Sequence, residues 1–344
     1  MRAALFQEHG DASVIKIGEV ELPPLKAEEV KIEVHYAALN RLDIFGREGS
    51  PALKVQLPQI TGSDFSGIIV EVGEGVTDVK VGEKVAVNAA LFCAKCENCL
   101  RGEQSLCENF AMIGEHTWGG LAEYAIVPRR NVMVVPNEAD CRTLASGTLT
   151  TLTAWRMLSS LADIRPGDIV LVPGAGGGLS TAAIQIIKHL GGKIIAVTSK
   201  DESQLKSIGA DHVISYKENP QWSKEVWKIS GKRGVDVVFE SVGEATWEQS
   251  LRSLKKGGTL VTAGATTGFN GKTNIGLVFW KQLRIIGSTM SNRREFEEAV
   301  TLLLNGIVKP VIDSEFSLDE TQEAEIRLEQ ADRFGKVVIR VKEY

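Results

Sequence analysis

Four of the five cysteines stand together, between positions 93 and 107, in the pattern Cys93-x2-Cys96-x2-Cys99-x7-Cys107. Four thiolates on one tight lobe can complete a tetrahedral shell around Zn²⁺, which leaves no open position for chemistry. The alternatives are an iron–sulfur cluster or a set of reduced thiols. The spacing and the glycine-bearing flank favour structural zinc, while Cys141 stands apart. The lobe is therefore predicted to stabilise a loop.

A second chemical signal is the glycine turn, Gly174-Ala-Gly-Gly-Gly-Leu-Ser180. It follows the apolar run 168–173 and precedes a helical pattern that ends at Gly191-Gly192, after which 193–198 is predicted to form a strand. Such a βαβ unit binds dinucleotides, because glycines admit the pyrophosphate and the helix start offers N–H groups. The candidate contacts are Gly174, Gly177, Gly178, Leu179 and Ser180, where Ser180 stands in the place of a third glycine.

The tip of the second strand carries Thr198, Ser199 and Lys200. An acidic residue there would accept hydrogen bonds from a ribose 2′-hydroxyl and repel a 2′-phosphate. Two hydroxyls and a cation suit the phosphate, which favours NADP(H). The alternative is that Lys200 is a surface lysine and Asp201 binds the ribose of NAD(H).

The 344 residues suffice for two domains, and the net charge of −5 argues against nucleic acid or an anionic membrane as partner. No apolar run approaches 18 residues, and the N-terminus lacks a signal-peptide pattern. A soluble cytoplasmic protein is therefore expected.

The elements that must position these groups differ between the two parts of the chain. Residues 1–90 are β-rich, whereas strands alternate with helices beyond Thr198, with further strands predicted at 212–216, 235–240, 259–263 and 284–287. Ligands of open parallel sheets bind at the carboxyl ends of the strands. That rule predicts cofactor contacts near the nicotinamide from Ser241, Gly264, Ala265 and Ser288.

The chain resembles the medium-chain dehydrogenase/reductase superfamily, which includes zinc-type alcohol dehydrogenases and quinone oxidoreductases. The resemblance includes the zinc lobe, the glycine turn, Gly62-x4-Gly67-x5-Gly73, residues 119–124, residues 283–288 and the closing Gly335-Lys-Val-Val. It implies an α/β fold of two domains: a GroES-like domain formed by 1–152 and 291–344, with the zinc lobe at 91–110, and a Rossmann domain with a doubly wound parallel sheet at 153–290.

Alcohol dehydrogenases of this superfamily hold a second, catalytic zinc through two cysteines, or a cysteine and an acid, and a histidine. The corresponding residues are Asn40, Ser63 and Leu149. These are not the anionic or imidazole donors that zinc requires, so the catalytic zinc is predicted to be absent. Asn40, Ser63 and Asp64 are the candidate catalytic residues. Asn40 is a hydrogen-bond donor to a substrate oxygen or, alternatively, a loop asparagine that binds the backbone.

The resemblance also implies that Thr153 meets the nicotinamide carboxamide, that Tyr216 stacks on adenine, and that Arg41 and Lys336 lie near the cofactor phosphates. The alternative for the two cations is surface charge. Relatives pair their subunits through the sheet edge at 284–287, so a homodimer or homotetramer is expected.

These observations predict an NADPH-dependent reductase of quinones or α,β-unsaturated carbonyls, because such acceptors need less activation than an alcohol or aldehyde. Two alternatives stay open. One is an alcohol dehydrogenase whose unorthodox metal site uses Asp64, Glu115 and His116. The other is a non-enzymatic NADPH-binding protein, as some lens crystallins of the superfamily are.

Overall fold

The computed structural model describes residues 1–50 and 55–342. They form two compact units. The first contains residues 1–149, 291–305 and 310–344 as far as they are described, and the second contains residues 150–290 and 306–309. The chain therefore leaves the first unit within a helix and later returns to it.

The first unit is built on a seven-stranded sheet of order β16-β17-β3-β4-β5-β9, with β8 also paired to β3. All its pairings are antiparallel except that of β16 with β17. The seven strands of this sheet are β3 Glu29–Ala38, β4 Asp64–Val72, β5 Lys84–Val87, β8 Tyr124–Pro128, β9 Val132–Val134, β16 Ile312–Ser317 and β17 Lys336–Arg340. Two smaller antiparallel sheets pair β1 Arg2–Leu5 with β2 Lys16–Glu19, and β6 Ala90–Leu91 with β7 Ala111–Met112.

The second unit is a parallel sheet of six strands in the order β12-β11-β10-β13-β14-β15. This is the doubly wound order, in which the chain starts in the middle and builds outward in both directions. Its strands are β10 Ile169–Pro173, β11 Lys193–Thr198, β12 His212–Ser215, β13 Val235–Glu240, β14 Leu254–Thr262 and β15 Arg284–Gly287.

Ten α-helices lie in the described ranges. They are α1 Arg41–Glu48, α2 Glu97–Leu100, α3 Cys141–Trp155, α4 Gly178–His189, α5 Glu202–Ser207, α6 Trp222–Ile229, α7 Glu244–Ser253, α8 Ile275–Lys281, α9 Arg293–Leu304 and α10 Thr321–Glu329. None of them is long and apolar enough to cross a membrane.

The predicted α/β class and the parallel sheet are confirmed, and β13 and β15 have the predicted bounds. The sheet is predictable because its inner strands are mainly apolar: β10 reads Ile-Val-Leu-Val-Pro, and every residue of β13 is buried, including the carboxylates of Asp236 and Glu240. Helix α3 begins at Cys141, because the carboxylate of Asp140 accepts hydrogen bonds from the backbone N–H groups of Arg142 and Thr143. A π-helical segment, 156–161, follows it.

Candidate active site and zinc lobe

The four clustered cysteines converge as the sequence predicts. Their sulfur atoms all lie within 4.8 Å of one another, with Cys93 to Cys99 and Cys96 to Cys107 each at 4.0 Å. Four thiolates bound to one zinc ion lie about 3.8 Å apart, since Zn–S bonds are about 2.3 Å long. The donor set and its spacing therefore fit a structural Zn²⁺ ion.

Backbone N–H groups donate hydrogen bonds to these sulfur atoms, which stabilises the thiolate form. The N–H of Cys96 donates to Sγ of Cys93 at 3.3 Å, and the N–H of Cys93 donates to Sγ of Cys107 at 3.2 Å. Backbone N–H groups of Lys95 and Cys96 lower the pKa of Cys93 to about 6, whereas burial raises the pKa of Cys99 to about 12. A bound cation would stabilise the thiolate at both positions.

The glycine turn has the geometry of a phosphate cradle. Gly174 has φ +65°, and a Cβ added there would lie 2.5 Å from Cγ2 of Val242. Helix α4 starts just after Gly177, so its first N–H groups, those of Gly178, Leu179 and Ser180, have no carbonyl partner inside the helix. Ser180 is buried, which explains why this position takes only a small residue. The turn can therefore bind a pyrophosphate.

The residues after β11 separate into two roles. Thr198 accepts a hydrogen bond at Oγ1 from the backbone N–H of Lys200 at 3.0 Å, and the stem of Lys200 runs over Gly176, where a Cβ would lie 2.8 Å from its Cγ. Asp201 caps α5 by accepting from Ser203, a contact that lowers the pKa of the Asp201 carboxyl. Lys200 therefore lies at the glycine turn, whereas the carboxylate of Asp201 caps helix α5.

The other predicted cofactor residues of the second unit lie at the carboxyl ends of its strands or in α3. Tyr216 follows β12, is exposed, and donates its backbone N–H to the carbonyl of Thr198 at 3.1 Å. Ser241 follows β13. Gly264 lies beside it, because a Cβ atom added to Gly264 would be 3.2 Å from the carbonyl oxygen of Ser241. Ala265 follows Gly264 in the chain. The backbone N–H of Ser288 donates to the carbonyl oxygen of Thr262, at the end of β14. Thr153 is buried in α3.

Three of the predicted site residues of the first unit, Asn40, Asp64 and Lys336, form one cluster. The Nζ atom of Lys336 lies 2.7 Å from Oδ1 of Asn40 and 3.1 Å from Oδ2 of Asp64. The amide Nδ2 of Asn40 lies 3.5 Å from the same carboxylate oxygen. Asn40 ends the β3–α1 connection, Asp64 begins β4, and Lys336 begins β17, so three neighbouring strands of one sheet bring them together.

This arrangement corrects the expectation for Lys336. Its side chain is 4% exposed and its ammonium group is paired inside the first unit, so it does not offer a surface charge to a phosphate. Burial lowers the pKa of Lys336 and raises that of Asp64, and the attraction between the two opposes both shifts. Arg41 is partly exposed at the first position of α1, and its contact with a cofactor phosphate stays a prediction.

Two further residues of the cluster are structural. The buried carboxylate of Asp43 accepts hydrogen bonds from the backbone N–H groups of Asn40 at 2.7 Å and Gly62 at 2.9 Å, which ties α1 to the turn before β4. Burial raises the pKa of Asp43 to about 6. Ser63 donates its hydroxyl hydrogen to the carbonyl of Ile113 at 2.6 Å. The serine therefore supports the main chain, and the structure gives no support to the catalytic role predicted for it.

The remaining residues considered as metal ligands, Leu149, Glu115 and His116, have separate contacts. Leu149, at the third predicted ligand position, donates its backbone N–H to Oδ1 of Asp64 at 3.1 Å. Glu115 is 6% exposed, and burial raises its pKa to about 7. His116 accepts a hydrogen bond at Nδ1 from the N–H of Met112. Within residues 1–50 and 55–342, only the four cysteines of the lobe form a group of metal-ligating side chains.

Sequence reasoning missed the pairing of Lys336 with Asn40, because these residues are almost 300 positions apart and only the sheet joins them. It also missed Glu240, a fully buried carboxylate after which β13 ends. Glu240 accepts hydrogen bonds from the backbone N–H groups of Val242 and Gly243 and from Ser250. An acidic residue at the carboxyl end of a buried strand was the available signal.

Comparison with known proteins identifies the family. Residues 26–137 match the alcohol dehydrogenase GroES-like domain, and residues 178–305 match the zinc-binding dehydrogenase domain. An alcohol dehydrogenase of Geobacillus stearothermophilus is 32% identical over the whole of both chains. The chain belongs to the medium-chain dehydrogenase/reductase superfamily. Its two units are therefore the GroES-like and Rossmann parts of that superfamily.

Other relatives in the superfamily differ in the reactions that they are named for. An acryloyl-coenzyme A reductase of Sulfurisphaera tokodaii is 32% identical over 94% of this chain and 96% of its own. A solved structure described as an NAD-dependent alcohol dehydrogenase is 36% identical, covers 99% of this chain and 100% of its own, and superposes with a TM-score of 0.94. Membership therefore establishes an oxidoreductase of the zinc-type dehydrogenase kind, and leaves the substrate to be argued from the site.

Proposed function

We propose that this oxidoreductase reduces α,β-unsaturated carbonyl compounds or quinones with NADPH, without a catalytic zinc ion. The observation that carries the proposal is the Lys336–Asn40–Asp64 cluster. At the positions where alcohol dehydrogenases are expected to hold catalytic zinc, this chain has an amide, a backbone-bound hydroxyl and an apolar side chain, together with a buried ammonium group.

The chemistry of conjugated acceptors suits these groups. The nicotinamide cofactor, when bound, supplies the hydride. Hydride adds to the β-carbon, the C=C π pair moves into the bond between the α-carbon and the carbonyl carbon, and the C=O π pair moves to the oxygen. A proton from solvent then adds to the α-carbon of this enolate. The transient enolate oxygen needs hydrogen-bond donors. The Nδ2 hydrogens of Asn40 are such donors, and the Lys336 ammonium stabilises negative charge beside them.

The choice of NADPH is supported by the residues after β11. Lys200 lies over the glycine turn and Thr198 and Ser199 supply hydroxyls, whereas Asp201 is held by the start of α5. Two solved reductases that match this chain are described as complexes with NADP, whereas the alcohol dehydrogenase structure above is described as NAD-dependent. Both cofactors therefore belong in the test.

The deciding experiment follows cofactor absorbance at 340 nm with NADPH and NADH. The acceptors are a benzoquinone, an enoyl-thioester, a simple enone and an aldehyde, and ethanol with NADP⁺ or NAD⁺ tests the reverse reaction. We expect turnover of a quinone or enone that a chelator does not abolish within minutes. Alcohol oxidation that requires added zinc would favour the alcohol dehydrogenase alternative, which the relatives' names support. Tight NADPH binding without turnover of any acceptor would favour the non-enzymatic alternative.

We also propose that a second copy of this chain pairs on β15. This strand lies at the end of the parallel sheet, and Ile285 on it is exposed. The preceding helix α8 exposes Phe279 and Trp280, which are 68% and 73% exposed. An open strand edge beside exposed aromatic side chains is suited to isologous pairing.

A further inference from the structure

We propose that Lys336 is a positioning residue, which fixes the side-chain amide of Asn40 so that its nitrogen is offered to the substrate oxygen. The Lys336–Asn40 pair would then do for an enolate what catalytic zinc does for an alkoxide. This inference rests on the proposed function and specifies that Lys336 acts through Asn40.

The ammonium group determines which way the Asn40 amide faces. An amide presents an acceptor oxygen and a donor nitrogen of nearly equal size, so its orientation follows from its partners. An ammonium group can only donate, and Nζ of Lys336 lies 2.7 Å from Oδ1 of Asn40. The reversed amide would place donor against donor. Lys336 therefore holds Oδ1 inward.

The amide nitrogen is left with weak partners. Its two contacts, to the carbonyl of Ala38 at 3.4 Å and to Oδ2 of Asp64 at 3.5 Å, lie beyond the usual range of an N–H···O hydrogen bond. Asn40 is partly exposed, whereas Lys336 and Asp64 are buried. Asn40 is thus the most exposed residue of the cluster, and its weakly held N–H groups can donate to a stronger acceptor.

The same ammonium group strengthens the donor. Hydrogen bonds in series polarise one another, so a cation bound to Oδ1 makes Nδ2–H a better donor than an isolated amide. Asp64 keeps the cation in place, and its second oxygen is held by the N–H of Leu149 at 3.1 Å. Lys336 keeps its proton throughout and forms no covalent bond, so the balance of the reduction is unchanged.

The test compares Lys336→Met, Asn40→Ala and the double variant. Removing one oxyanion donor costs on the order of 100-fold in kcat, so we expect Asn40→Ala to lose that much and Lys336→Met roughly 10-fold to 100-fold. If Lys336 acts through Asn40, the double variant is no slower than Asn40→Ala. The Kd of NADPH, measured by fluorescence, should stay within about twofold, because no phosphate contact is removed.

Lys336→Met leaves a buried carboxylate without its cation, so a further variant combines Lys336→Met with Asp64→Asn, which removes both charges of the pair. Three results would overturn the inference. They are a tenfold weaker Kd for NADPH on losing Lys336, losses that multiply in the double variant, and an unchanged kcat. The weaker Kd would show that Lys336 contacts a cofactor phosphate. Multiplied losses would show that Lys336 and Asn40 act independently, and an unchanged kcat would show that Lys336 is only structural.

A turnover-free measurement separates this inference from the proposed function. In the NADP⁺ complex, p-nitrophenolate serves as an oxyanion probe, and its absorbance reports binding. We expect the wild-type chain to bind it at least tenfold more tightly than Asn40→Ala or Lys336→Met. Wild-type inactivity with every quinone and enone would refute the proposed function alone. Equal phenolate affinity of all three proteins, or none in the wild type, would refute the role of Lys336.

Discussion

The Nζ atom of Lys336 lies 3.1 Å from Oδ2 of Asp64, and both side chains are buried. The pair joins the first residue of β17 to the first residue of β4. Because each charge has been removed from water, each depends on the other and on Asn40 for compensation.

Removing one member of this pair should destabilise the GroES-like unit strongly. Lys336→Met is expected to lower the free energy of unfolding by about 3–5 kcal/mol, as for other broken buried pairs. Asp64→Asn combined with Lys336→Met should recover most of that loss, since no charge is then stranded. Urea unfolding followed by circular dichroism measures both. A loss below about 1 kcal/mol for the single variant would show that water reaches Asp64.

The zinc lobe should bind about one zinc ion per chain, because the four sulfur atoms form a closed tetrahedral set. Elemental mass spectrometry on protein purified with zinc present measures this directly. Cys99→Ser should lose the metal and lower the melting temperature. Cys141→Ser, which removes a buried thiol outside the lobe, is the matched control and should keep the metal. A stoichiometry near two would point to a second metal site and to Asp64, Glu115 and His116 as its ligands.

Lys200→Ala should weaken NADPH binding more than NADH binding. A lost charge-assisted hydrogen bond is worth about 2 kcal/mol, which corresponds to roughly 30-fold in Kd. Fluorescence titration with each cofactor gives the ratio. Lys206→Ala is the control, because Lys206 lies on α5 and pairs with Glu202 at the surface. Equal losses for both cofactors would mean that Lys200 does not distinguish a 2′-phosphate.

Glu115 should make the protein less stable as the pH rises. Burial raises its pKa from 4.5 to about 7, so the folded state favours the protonated acid. The contribution of Glu115 to the free energy of unfolding is up to about 3 kcal/mol. It is fully present below about pH 4.5 and is lost as the pH rises to about 7. Glu115→Gln should flatten the melting temperature between pH 5 and 8. An equally steep profile in the variant would assign the effect to another group, such as Asp43.

Pairing on β15 predicts a homodimer or a larger even-numbered assembly. Trp280→Glu places a charge on the exposed face of α8 and should shift the protein toward monomer, because a buried unpaired charge opposes association. Sedimentation velocity gives the mass of each species. Phe269→Glu, an exposed aromatic position outside both elements, is the control. A monomeric wild type would refute pairing. If Trp280→Glu leaves the assembly unchanged, the interface between subunits does not include the exposed face of α8.

The sequence by itself determined the fold class, the course of the parallel sheet and the two most local sites. The cysteines of the lobe and the glycine turn lie within short segments, so their spacing already implies their geometry. The strands β10 and β13 were predictable for a similar reason, since burial on both faces of a parallel sheet requires mainly apolar residues.

Tertiary structure alone decided the chemistry of the Asn40 cluster. The sequence showed which zinc ligands were replaced, yet the family resemblance placed Lys336 near the cofactor phosphates, with surface charge as the alternative. The pairing of β17 with β3, and of β3 with β4, carries Lys336, Asn40 and Asp64 into one buried cluster. Long-range strand pairing depends on packing of the whole sheet, so local residue patterns do not reveal it.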